Sequence, residues 1–272
     1  MPIRTLLYHD VVEPGRCSES GFDAGDADIY KLTRQAFAAH LARLATIGSA
    51  PELATSTARS GWMITFDDGG ASALVAIAPA LEARAWRGHF FMTTGWLGEP
   101  GFLSADALRE LVARGHLVGS HSHTHPLAMS SLSRTELQRE WRDSSEILAG
   151  VLGEPPAIAS IPGGAYSRTV AETAGEAGVR ALFTSEPTAG VWQVGPVTCY
   201  GRYTVQHRTP PDTALAFATG RGAASLRQRL AWDGKKIVKA ACGPAYRELR
   251  RRLLANSGGV NAARGTAAPP SR

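Results

Sequence analysis

Along the chain, short apolar runs alternate with stretches whose apolar residues recur at helical spacing. IRTLLY (3–8), WMITF (62–66), HFFMTT (89–94), HLVGS (116–120), AIASI (157–161) and VRALFT (179–184) are strand-like runs. Between them lie helical patterns. In FAAHLARLATIG (37–48), Phe37, Leu41, Leu44 and Ile47 share a face and Gly48 ends the run. ALVAIAPALEARAW (73–86) is helical despite Pro79. SADALRELVARG (104–115) starts at a capping Ser104 and stops at Gly115, and SRTELQREWRDSSEILAGVLG (133–153) opens with a capping box of Ser133 and Glu136. RTVAETAGEAG (168–178) is the last helix of this series. Strand–helix alternation predicts a parallel sheet with helices outside, because parallel strands need crossover connections. About seven strands over this length suit a closed or nearly closed α/β barrel better than an open sheet.

After about residue 210 the pattern becomes helical without strands. PDTALAFATG (211–220) is one helix, and 224–255 forms one or two more. The expected organisation is a barrel over 1–208, a basic helical extension over 209–255 and a disordered tail over 256–272, the last by composition.

The 272 residues are 44% hydrophobic and 19% charged, which is ordinary globular composition. The net charge of +5 matters mainly through its placement, since the lysines and arginines concentrate in 221–240 and 246–253. No basic stripe with interleaved aromatics, helix-turn-helix or zinc-finger spacing is present, so nucleic acid is not an expected partner. Three scattered cysteines make neither a disulfide framework nor a metal knuckle and fit a reducing compartment. The first residues lack the long apolar core of a signal peptide, and no apolar run reaches the roughly 20 residues that span a bilayer. The expectation is a cytoplasmic protein whose basic C-terminal part is a candidate peripheral contact with anionic membrane.

Candidate chemistry collects where strands end. Asp67 and Asp68 follow WMITF directly, and His121, His123 and His125 follow HLVGS in HSHTHP. The C-terminal ends of strands are where α/β folds carry their active sites. If the histidine segment turns helical, His121 and His125, four apart, share a face while His123 points elsewhere. One carboxylate and two imidazoles form a good set for a divalent metal, leaving the second carboxylate free as a base. Bringing two adjacent carboxylates near a core is costly unless a cation or a proton answers them.

TFDDG followed by GHLVGSHSHTHP resembles the polysaccharide deacetylases of the NodB-homology type, carbohydrate esterase family 4, over about residues 1 to 205. The resemblance implies a distorted (β/α) barrel and a metal-dependent hydrolase that removes acetyl from N-acetylated sugars. It places Asp67 as catalytic base and Asp68, His121 and His125 as metal ligands, with His123 on a variable position. LLYHDVV and the helix after it are similar to the branch that includes biofilm exopolysaccharide deacetylases. In ASIPGGAYS (159–167), Pro162 and Gly164 match the third motif, but its arginine, which orients the catalytic Asp, is replaced near Ser160. Arg202 is a candidate source of a guanidinium from another strand. The family's C-terminal Leu-x-His motif for the general acid is not visible, so His9, at the end of the first strand, and His207 are the candidates. His9 is preferred, with neighbouring carboxylates expected to raise its pKa. Pro162, Gly163, Tyr166 and Arg202 are the candidate substrate contacts, and Trp96 is a further aromatic on a strand-end loop. Zinc is the expected metal, with cobalt, nickel or manganese as alternatives. The expected substrate is an N-acetylated glycan or a sugar-linked intermediate. An O-acetyl esterase and an inactive glycan-binding barrel are the rival readings.

Overall fold

A computed structural model describes residues 3–23, 25, 27–54 and 60–234. In chain order the strands are β1 (Ile3–Tyr8), β2 (Val11–Val12), β3 (Leu32–Thr33), β4 (Gly61–Phe66), β5 (His89–Met92), β6 (Leu117–Ser120), β7 (Ile158–Ser160), β8 (Ala181–Phe183), β9 (Val191–Val194), β10 (Val197–Tyr200) and β11 (Arg202–Thr204). The helices are α1 (Arg34–Ala45), α2 (Ala78–Glu82), α3 (Ala105–Ala113), α4 (Arg134–Leu152), α5 (Arg168–Glu176) and α6 (Pro211–Thr219). Nine strands form one sheet in the order β11-β1-β4-β5-β6-β7-β8-β10-β9, and β2 and β3 pair separately. Within the large sheet every pairing is parallel except β9 with β10. β1 and β4 are almost continuously buried, as expected of parallel strands covered on both faces.

The expected α/β class is therefore present, with nine strands in the sheet rather than about seven. No ladder joins the sheet's ends, β9 and β11. The two sides approach through one segment: β10 pairs with β8, and after Gly201 the chain continues as β11 beside β1. In the large sheet, the hairpin β9–β10 and the strand β11 are the strands that sequence patterning missed; the two-residue β2 and β3 were missed as well. They are short, and β9 is largely exposed, so they carry no long apolar run.

The helix signals read at Ser104, Ser133 and Glu136 translate directly: Ser104 caps α3, and Ser133 and Glu136 form the capping box of α4, which Gly153 ends in the left-handed conformation. α1 starts and ends three residues earlier than the pattern over 37–48, at a cap, Thr33, that was not read from the sequence. Around Pro79 the predicted helix instead has a π-helical segment, Ala73–Ile77, before α2. Proline cannot donate the backbone hydrogen bond of a regular α-helix, and the preceding turn widens. α6, assigned from sequence to the helical extension, contributes Phe217 and Ala218 to the main core. Residues 224–234 are helical. The rest of the basic segment, 235–255, and the tail 256–272 lie outside the described residues.

Parallel register aligns the strand ends. Tyr8 pairs with Phe66, so His9 and Asp67 leave the sheet side by side. Met92 pairs with Ser120, Ser120 with Ala159, and Ser160 with Phe183. The residues after β1, β4, β6 and β7 therefore emerge along one edge.

Candidate active site

At the end of β4 two neighbouring carboxylates take opposite directions. Asp67 continues the strand, its N–H donating to the Tyr8 carbonyl at 3.1 Å. Asp68 adopts φ 75°, and Gly69 after it φ 83°. At β6 the chain does likewise: Ser122 and His125 have φ 63° and 59°. Among the described residues four non-glycine positions have positive φ, and three of them lie here. Such backbone costs about 1–2 kcal/mol per residue, so its concentration marks a site that the surroundings hold against local preference.

The result is convergence. Asp68 Oδ1 lies 3.4 Å from His121 Nε2 and 3.4 Å from His125 Nε2. Each of the three residues offers one ligand atom, and these atoms all lie within 4.8 Å of one another. Two imidazole nitrogens and one carboxylate oxygen at that separation fit a divalent cation with positions left for water and substrate. The two imidazoles meet for a different reason from the expected helical spacing. Residues 121–126 are not helical, and the left-handed turns at Ser122 and His125 bring the second ring back toward the first. His123 turns away, its Nδ1 3.1 Å from Thr94 Oγ1. Glu140 of α4 secures the loop, accepting from the N–H of His123 and both the N–H and hydroxyl of Thr124. Nothing in the HSHTHP segment itself marks Glu140, and sequence reading missed it.

Asp67 has a separate set of partners. Arg202 donates from both terminal nitrogens to its two oxygens, at 2.7 and 2.8 Å, while Arg202 Nε donates to the Thr184 carbonyl. Arg202 is fully buried. It cannot be the substrate contact expected of it; it grips Asp67 from behind. Ser160, at the third-motif arginine's expected position, donates to Asp67 at 3.2 Å and lies 2.5 Å from His121 Nδ1. A guanidinium from β11 thus meets the carboxylate that the resemblance pairs with an arginine near β7. Burial pushes the Asp67 pKa up, but the charges of Arg202 and His121 outweigh it and hold the carboxyl below its usual range. For Asp68 burial is likewise opposed, by hydrogen bonds from His121 and His125, and the carboxyl lies well below its ordinary value.

His9 is half-buried and stacks on Tyr30, with ring centroids 4.6 Å apart. Its Nδ1 is buried without a hydrogen-bond partner. Asp68, Asp67 and Asp10 raise its pKa as expected, but burial lowers it more, so the net direction is down. The expectation of a raised value is corrected: desolvation of the ring exceeds the pull of the carboxylates. His207 lies on an exposed turn with Nδ1 3.1 Å from the Ile29 carbonyl.

The remaining candidates differ in exposure. Pro162 is buried, whereas Gly163 is exposed and, at φ 61°, leaves no room for a side chain, since a Cβ would stand 2.5 Å from the Leu127 carbonyl. The Tyr166 hydroxyl accepts from Trp192 Nε1 at 2.9 Å, and its ring packs edge-on against that indole. Trp96 packs with Phe22 and Phe102, and Phe22 in turn faces the His125 ring at 4.7 Å. Asp10 anchors this wall, accepting from Ser20 and Ser72.

Fold and site together define an α/β protein with a metal-type ligand triad beside a clamped carboxylate. Comparison with known proteins agrees. Residues 54–182 match the polysaccharide deacetylase family model, so this part of the chain is similar to that family. His9 and Arg202 lie outside the matched span. A Bacillus subtilis protein provisionally named a polysaccharide deacetylase, YxkH, is 27% identical over 127 residues, covering 47% of this chain and 45% of YxkH. A chitin deacetylase of Arthroderma benhamiae is 30% identical over 114 residues, 42% of this chain and 30% of that protein. The matches thus span less than half the length of these curated relatives. The Streptococcus pyogenes deacetylase PplD, solved in complex with acetate, superposes with a TM-score of 0.65 at 18% identity, over 80% of this chain and 98% of PplD. At that identity the likeness speaks for the fold.

Proposed function

We propose that the protein is a divalent-metal-dependent deacetylase that hydrolyses the N-acetyl amide of an amino sugar in a glycan or glycan precursor. The observation that carries this reading is the convergence of Asp68, His121 and His125 beside an Asp67 held ionised by Arg202. A cation bound by the triad, for which zinc suits the two-nitrogen, one-oxygen set, would polarise the acetyl carbonyl and make a water more acidic. The chain's own groups do the rest. Asp67, deprotonated and fixed by two charge-assisted hydrogen bonds, accepts the proton of the attacking water. Ser160 joins the base to His121, so the two move as one unit. His9, beside both carboxylates and with one ring nitrogen unpartnered, is assigned the proton transfer to the leaving amine. Burial lowers its pKa, so the proton that it hands to the leaving amine is the one Asp67 has taken from the attacking water, passed on to the ring within the cycle.

Acetate release from N-acetylglucosamine oligomers, compared with O-acetylated sugars and followed alongside metal content, tests the reading. Release from the amides by metal-loaded protein and its loss on chelation are expected. Release from esters alone would make it an O-acetyl esterase. Release from neither would leave a glycan-binding domain.

A further inference from the structure

Away from the catalytic edge, a groove of about 370 Å³ runs between the start of β1 and the helix of residues 224–234. Arg4, Thr188, Tyr203, Ser225, Leu226 and Arg229 line it. Arg4 is held in place by the chain around it. Its guanidinium lies over the Tyr203 ring, 5.8 Å from the centroid, and donates to the Tyr203 hydroxyl at 3.3 Å. Gly220, in the left-handed conformation after α6, leaves it room, since a Cβ there would stand 2.3 Å from the guanidinium. No carboxylate of the described residues pairs with Arg4. Arg229 has only Asp233, at 3.9 Å, and the buried hydroxyl of Ser225 has no hydrogen-bond partner. Two guanidiniums and an orphaned donor around one groove form a site for an oxyanion.

The flank of the groove decides which oxyanion. Leu226 and Leu230, one helical turn apart, are 58% and 62% exposed. They face outward, while Gln228 on the same helix bonds to the backbone of Thr204. From 221 to 234 the chain carries Arg221, Arg227 and Arg229 against Asp233 alone. A soluble phosphate makes no use of two exposed leucines. A lipid headgroup does, because its phosphate meets the arginines while the leucines enter the interfacial layer beside it.

We propose that the Arg4–Arg229 groove, flanked by Leu226 and Leu230, binds the headgroup phosphate of anionic lipid and docks the protein on a membrane surface. The same helix also meets the loop that follows β7, where a Cβ at Gly164 would stand 2.9 Å from the Trp232 ring. Docking through the groove would therefore orient that loop relative to the bilayer.

Co-sedimentation of the full chain with phosphatidylcholine vesicles, with and without about 30% phosphatidylglycerol, tests this. The protein should bind the anionic vesicles and leave the neutral ones. Arg4→Gln and Arg229→Gln should each lower partitioning about fivefold, the worth of one cationic side chain at an anionic surface. Leu226→Asn with Leu230→Asn should abolish whatever binding survives high salt. Inorganic phosphate at constant ionic strength should not compete. Arg229, Leu226 and Leu230 are exposed, so these variants remain readable even if Arg4→Gln unfolds. Equal binding to neutral vesicles, no binding at all, or capture of a soluble poly-glutamate peptide without vesicle binding would overturn the proposal. So would loss of binding in Lys235→Gln/Lys236→Gln/Lys239→Gln while the groove and leucine variants bind normally, because the contact would then be the basic segment alone.

Discussion

Asp67 is buried among groups that all favour its ionised form, two nitrogens of Arg202 and the hydroxyl of Ser160. Replacing Asp67 by Asn keeps the shape and removes the proton acceptor, so metal content should stay and acetate release should fall by two or more orders of magnitude, about the worth of a general base. Arg202→Gln tests the clamp. Without the guanidinium, burial dominates and the Asp67 pKa rises, so the acid limb of the pH–rate profile should move to higher pH. The same variant should lose about 3–5 kcal/mol of stability, the effect of leaving a buried charge unpaired, read by urea unfolding. An unmoved acid limb would separate Arg202 from the base. The ligand set has its own test: His121→Ala and His125→Ala should strip the metal, and His123→Ala, whose ring faces Thr94, should keep it. Metal analysis after dialysis gives the answer, and loss in the His123 variant would reassign the ligands.

At the scale of elements, a strand's polar residues must be satisfied where the sheet is covered on both faces. His89, at the start of β5, shows how. Its Nε2 accepts from the Ala54 N–H at 2.9 Å and its Nδ1 donates to the Ile64 carbonyl at 3.0 Å. Only the neutral ring serves both, and burial takes its pKa down to about 4. Because the unfolded chain binds this proton near pH 6.5 and the folded chain does not, the ring's contribution is complete above pH 6.5. It is lost as pH falls toward 4. Between those limits the native protein should lose about 3 kcal/mol through this group, and His89→Gln should flatten that part of the stability–pH curve. Equal slopes in urea titrations of the two proteins would show that the ring accepts its proton without loss of structure. Elements also explain why the histidine loop holds its shape. α4, begun by a capping box legible in the sequence, carries Glu140 to three donors of HSHTHP.

For the whole molecule the decisive stretch is Val197–Thr204, which passes from β8 to β1 with Gly201 between its two strands. A Cβ at Gly201 would stand 2.4 Å from the Thr188 carbonyl and 2.7 Å from that of Glu186. Gly201→Ala should push this crossing apart, with a loss of about 1–3 kcal/mol in urea unfolding. Activity should fall with it, because Arg202 is the next residue. Retained activity in a destabilised variant would show that the Asp67 clamp tolerates movement of β11.

The local sequence determined the alternation of strands and helices, the caps of α3 and α4, and the placement of Asp67, Asp68, His121 and His125 at strand ends. Those features follow from periodicities and turn chemistry that act over a few residues. Only the tertiary structure decided which distant groups meet. That Arg202, 135 positions away, faces Asp67 depends on β11 adding beside β1, which no local pattern encodes. The histidine pair converges through left-handed turns that run against local preference and are held by contacts from elsewhere. The pKa direction of His9 was misjudged for a related reason. Its neighbouring charges can be read along the chain, but the burial that outweighs them exists only once the sheet has assembled.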